Sequence, residues 1–165
     1  MKYLPILLLL AIGCASEPQS DPAQDQSEAT APPVLGLSVT LSREDAGADP
    51  LGMRHYVLAY LKAGNATDID QVAAQKLQAD HLKNIQRMAD AGQLVLAGPF
   101  LDGGDVRGLY IFNTASLDSA KAWTSTDPAI IAGVLAMELH PWYGSAAFLA
   151  VNELHEQLAE QSFAD

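Results

Sequence analysis

His81 is the residue of this chain that most invites a chemical reading. Leu77, His81, Ile85 and Met88 recur at helical spacing, so the imidazole faces inward with an apolar stripe, away from bulk water. A buried imidazole needs hydrogen-bond partners. Asp90 is the carboxylate nearest on the following turns, yet nine residues at about 100° each carry it to the opposite side of the helix. A partner must come from elsewhere, unless the histidine is simply a satisfied core residue. Asp127 precedes Pro128, the order of a helix N-cap with proline at the first helical position, which accounts for it without any chemistry.

Other residue types offer less. Arg107 either meets an anion in a pocket or stands as a solvated strand end. Tyr56 shares a strand face with Leu58 and Tyr60, which suits a core or dimer interface as well as contact with a substrate. Glu138 and His140 share a strand face, but two ligands on one strand are too few for a metal site. Asp102 and Asp105 bracket Gly103 and Gly104, which suits a tight turn and lacks the ligand spacing of a calcium loop. Trp123 suits packing, and His55 and His155 are assigned no role. No Ser-His-Asp order, phosphate-binding loop or dinucleotide fingerprint occurs in the sequence, so neither metal nor cofactor is expected.

The elements that must hold these residues follow from periodicity. Residues 55–61 read as a strand, ended by Gly64-Asn65, and Asp68 or Asp70 can cap a helix running to about Ala91 with Gly92 closing it. Residues 94–101 and 107–113 read as strands joined by the glycine turn. A second helix opens at Ser116 or Asp118, and residues 134–140 form a last strand stopped by Pro141. The order is βαββαβ, an α+β ferredoxin-like plait with an antiparallel sheet. Helices on one face leave the other apolar and uncovered, and dimerisation is the usual remedy. Residues 34–53 read as an extra strand or arm and a loop, from the alternation of Leu35, Leu37, Val39 and Leu41. Residues 144–165 read as an amphipathic helix, with Ala147, Val151, Leu154 and Leu158 at helical spacing.

The first residues read as an address. In residues 1–13 a positive Lys2 precedes an apolar run too short to span a bilayer, and Leu10-Ala11-Ile12-Gly13-Cys14 resembles the box at which a bacterial lipoprotein is cleaved and lipidated. Cys14 is the chain's one cysteine, so no internal disulfide can form. Ala15 is not the aspartate that favours inner-membrane retention in such lipoproteins, so the outer membrane, facing the periplasm, is the expected location. Residues 14–33 lack large apolar side chains and read as a disordered tether. The acidic excess behind the net charge of -11 lies mostly outside residues 54–143, and that charge excludes a nucleic-acid partner. With 49% hydrophobic residues, the chain has material for one domain with a core.

His81-Leu82, Ala97-Gly98-Pro99, Asp127-Pro128, Ala132-Gly133 and Pro141-Trp142 occur in an order and spacing that resemble the YciI-like (YCII-related) family over residues 54–143. The family is similar to the dimeric α/β barrel proteins, and its members resemble muconolactone isomerases and a ring-cleavage-pathway dehydrochlorinase in fold. The resemblance implies a homodimer whose catalytic pair is His81 and Asp127, with the carboxylate fixing the tautomer so that Nε2 acts as a base. Many members carry an Arg three residues before the histidine, where this chain has Gln78.

Two functions remain open at this level. One is general acid/base chemistry on a small organic molecule, such as isomerisation, elimination or lactone hydrolysis, with Arg107 and Tyr56 as candidate substrate contacts. The other is a noncatalytic ligand-binding or dimeric interaction module at the cell envelope. The address itself is testable: mature protein is expected to partition into membranes, with mass spectrometry of its N-terminal peptide showing acylated Cys14. An unmodified Cys14 behind an intact leader would refute the lipoprotein reading.

Overall fold

The computed structural model describes residues 39–66, 68–162 and 164. The leader, Cys14, the tether and residues 34–38 lie outside them. Strand β1 (Met53–Ala63) leads to helix α1 (Gln71–Asp90), and strands β2 (Leu94–Pro99) and β3 (Val106–Phe112) follow. Helices α2 (Leu117–Thr124) and α3 (Pro128–Ile131) precede strand β4 (Leu135–Ser145), and a 3-10 turn (Ala146–Ala150) runs into helix α4 (Val151–Leu158). The four strands form one antiparallel sheet in the order β2-β3-β1-β4. This is the ferredoxin-like α+β arrangement.

Local chemistry explains the boundaries. Asp70 caps α1 by accepting from the Ala73 N–H at 2.9 Å. At the other end Gly92 adopts φ 66°, so that the N–H groups of Gly92 and Gln93 turn back to the carbonyls of Ala89 and Met88. Ser116 caps α2. The β2–β3 turn has Gly103 at positive φ and Asp102 Oδ1 accepting from the Gly104 N–H, a role for that aspartate that requires no cation.

Three expectations are corrected. Pro141 does not stop the last strand: β4 continues to Ser145, with Pro141 opposite Val57. It is an edge strand, where alternate N–H groups point away from the sheet and a proline need remove no ladder bond. Of the two readings of residues 34–53, an extra strand or an arm, Val39 to Leu41 form no strand, and Leu35 and Leu37 lie outside the described residues. The C-terminal segment is not helical from Gly144 onward, since Gly144 and Ser145 pair with Arg54 and Met53 and the α-helix begins only at Val151.

Two clusters flank the sheet. On one face Val57, Ala59, Leu61, Leu94, Tyr110 and Phe112 pack against Ile85 and Met88 of α1 and Ala120 of α2. Tyr56, Val95 and Ile111 gather on the other, with Trp142, Phe148 and Leu149 against them, so the 3-10 turn covers one end of the face expected to be bare. Leu58, Tyr60 and Leu109 on that face remain half-buried.

The turn after α3 is anchored to the end of β1. The Gly64 N–H donates to Val134 O at 2.7 Å and that of Ala66 to Gly133 O at 3.0 Å. A Cβ on Gly64 would stand 2.0 Å from Gly133 O, and the obstacle is backbone that cannot rotate away. Gly64→Ala is therefore expected to lower unfolding free energy by about 2 kcal/mol or more, read from urea denaturation; an unchanged midpoint would show that this turn is not clamped.

Candidate active site

His81 enters the sheet-facing side of α1 and is 7% exposed, while Asp127, at the start of α3, is fully buried at 0%. Their side chains meet: Nδ1 of His81 lies 2.7 Å from Oδ2 of Asp127. The second oxygen, Oδ1, accepts the Ala129 N–H at 2.9 Å. One carboxylate thus caps the short helix and holds the histidine, so the capping and partner readings of Asp127 are both realised in the same side chain.

The approach of α1 to α3 is fixed by a neighbouring polar cluster. Arg87, one and a half turns after His81, donates through Nη2 to Asn84 Oδ1 at 2.9 Å and to Thr126 Oγ1 at 2.8 Å. Thr126 Oγ1 in turn donates to Trp123 O at 2.7 Å. Because Thr126 immediately precedes Asp127, this cluster sets where the carboxylate arrives.

Across the sheet-facing side of the imidazole lies Tyr110 of β3. The two rings stack at 6.3 Å between centroids and 17° between planes, and the phenol oxygen is 3.4 Å from Nε2. Burial, reinforced by the negative charge of Asp127, pushes the Tyr110 phenol well above the ordinary tyrosine range. It therefore keeps its proton at neutral pH and donates toward Nε2 while that nitrogen carries its lone pair. At 3.4 Å that contact is too long for a strong hydrogen bond, which leaves the Nε2 lone pair accessible to a competitor. Tyr110, Asn84 and Thr126 escaped sequence reasoning. For Tyr110 the available signal was a phenol on the buried face of a strand two residues from Gly108, where a polar tip requires a partner and the glycine provides room.

A cavity of about 620 Å³ opens on this group, inside the roughly 300–1,000 Å³ range of small-molecule sites. Buried His81, Tyr110, Leu61 and Leu94 form its deep part, while exposed Gln78, Arg107 and His155 line its rim. Arg107 is thus brought to the cavity. Tyr56 is not: it lies on the opposite face of the sheet and donates its hydroxyl to Ser145 O at 3.0 Å. His140 and Glu138 meet at 2.9 Å on the surface, where Glu138 also pairs with Lys62. His55 packs on Tyr143, and Trp123 on Phe112. Among the described residues no group of three His, Cys, Asp or Glu side chains could hold a metal ion.

The family model for the YCII-related domain matches residues 53–143, more than half of the chain. The chain belongs to the YCII-related domain family. It is similar to a solved structure of 5-chloro-2-hydroxyhydroquinone dehydrochlorinase from Burkholderia phenoliruptrix, determined in complex with 2,5-dihydroxybenzoquinone. The two share 23% identity over 53% of this chain and 92% of that one, with a TM-score of 0.40. No curated protein matches the chain. The YCII-related region ends at β4, so the 3-10 turn and α4 are additions to it.

Asp127→Asn separates the two jobs of the carboxylate. The amide oxygen can still accept the Ala129 N–H, leaving its NH₂ to face the imidazole as a donor. The neutral ring should then move its hydrogen from Nδ1 to Nε2, a tautomer switch visible in imidazole ¹⁵N shifts. Retention of the Nδ1–H tautomer in the variant would mean that Asp127 does not orient His81.

Proposed function

We propose that the protein is an acid/base catalyst acting on a small, largely apolar organic molecule, with Nε2 of His81 as the base and Asp127 as its positioning residue. The observation that carries this reading is the 2.7 Å Nδ1–Oδ2 contact at the bottom of an apolar cavity. A carboxylate on Nδ1 directs the lone pair of Nε2 toward the cavity and stabilises the imidazolium that forms when a proton is taken. Isomerisation and elimination both begin by removing a proton from carbon, and lactone hydrolysis by removing one from water. Arg107, the one Lys or Arg side chain among the cavity's lining residues, is the contact for an anionic group on the substrate. In this reading the domain is a homodimer that buries the half-covered sheet face around Leu58, Tyr60 and Leu109. It is tethered by lipid on Cys14 to the outer membrane, facing the periplasm.

One observation favours a noncatalytic ligand-binding module: His81, with the Tyr110 hydroxyl 3.4 Å from its Nε2, is almost closed to solvent. Proton–deuterium exchange distinguishes the two. A panel of small cyclic ketones and lactones in D₂O, followed by ¹H NMR, should include a compound whose activated C–H exchanges with wild-type protein. His81→Gln should slow that exchange by about a hundredfold or more. Equal exchange with the variant, or none for any compound shown to bind the cavity, would favour the binding module.

A further inference from the structure

The cavity has a wall that the family domain does not supply. Val151, Asn152 and His155 of α4 line it together with residues of α1, β2 and β3. The segment reaches this place by passing around the free edge of β2. Phe148 and Leu149 pack on one face of the sheet with Val95, and three residues later Asn152 Nδ2 donates to Leu94 O at 2.8 Å. Helix α4 buries none of its residues completely; Val151, Asn152 and Leu154 are half-buried, the first two of them against the cavity.

His155 stands where this wall meets the rim. It borders two depressions: the cavity over His81, whose lining contains Arg107 and no carboxylate, and a shallower one that includes Asp90, Glu156 and Glu160. A negative group is repelled from the second and accepted by the first. Resting on the reading of the cavity as a ligand site, we propose that α4 is part of that site, and that His155 and Arg107 together hold the anionic group of a small apolar ligand at its mouth. The apolar body of the ligand then extends inward past Leu82, Leu94 and Leu135 toward His81. Gln78, on the same rim, offers hydrogen bonds without charge, which leaves anion recognition to the β3 and α4 side of the opening.

Benzoate, an aromatic carboxylate small enough for the cavity, and benzamide, its neutral analogue, serve as probes of the full chain. Histidine ring signals in ¹H–¹³C NMR are followed during titration with each. Benzoate is expected to move the His155 and His81 signals along one saturable curve, and benzamide to bind about fivefold or more weakly. His155→Gln and Arg107→Gln should each weaken benzoate about fivefold while leaving benzamide unchanged, and the retained His81 shift will show that each variant is folded. Benzoate that shifts His81 but binds His155→Gln as tightly as wild type would reduce α4 to a passive cover and overturn the inference, with the His81 chemistry still standing. Equal binding of benzamide, or no benzoate binding at millimolar concentration, would overturn anion recognition; the exchange experiment above judges the acid/base reading separately.

Discussion

Asp127 is a carboxylate with no solvent of its own, and what surrounds it is arranged to meet that demand. Burying a carboxylate is costly unless fixed donors replace the water it loses. Here one donor is a backbone N–H of the helix it caps and the other is the ring of His81, 2.7 Å away. Neither donor is optional. Without the Ala129 N–H the start of α3 would lose its cap, and without the imidazole the second oxygen would face α1 unpaired. The same pairing confines the histidine: a ring tied through Nδ1 keeps one rotational setting, with Nε2 beside Tyr110. A side chain satisfied only by water would have no such constraint.

From that contact the architecture can be followed outward. The α3 segment is held by Gly64 at the end of β1 and by Asn84 and Arg87 of α1, which meet Thr126 just before α3. Each attachment joins an element that carries a site residue to one that carries core. Val57, Ala59 and Leu61 of β1 pack against Ile85 and Met88 of α1, which also bears His81, so hydrophobic burial sets the distance across which the polar pair must close. The cavity lies where this packing leaves off, between α1 and the strands β2 and β3. Small residues there, Ala97, Gly98 and Gly108, leave space that larger side chains would fill.

Much of this was legible in the sequence, and the reasons differ between residues. The plait followed from periodicity, because strands and helices with one buried face print periods of 2 and 3.6 on their apolar residues. His81 stood out since a polar side chain interrupts such a stripe. Its pairing with Asp127 came from the family resemblance; local spacing offered only Asp90, on the wrong side of the helix. Tyr110 stayed hidden because a tyrosine on a buried strand face looks like core, and only the fold shows which imidazole its hydroxyl reaches. Tyr56 misled for the same reason in reverse: alternation placed it on a face but could not say that this face lies opposite the cavity. Strand β4 ran past Pro141 because an edge position, which sequence does not reveal, removes the penalty that proline carries inside a sheet.

Tyr110 bears most directly on what the pair can do. With its proton held by burial and by the charge on Asp127, the phenol cannot act as a base, and toward the unprotonated Nε2 it is a donor. A donor at a good hydrogen-bond distance would block proton abstraction by occupying the lone pair. At 3.4 Å it occupies little of it. The geometry suits a group that lines the approach to Nε2 and yields when a ligand brings a better partner. Once Nε2 has taken a proton, the phenol oxygen becomes a nearby acceptor for the new N–H, because a hydroxyl can reverse its role by rotation. A phenylalanine would fill the same volume and offer neither function. An unionised tyrosine beside the free nitrogen is therefore compatible with both resting and protonated histidine, which a carboxylate or an ammonium in that place would not be.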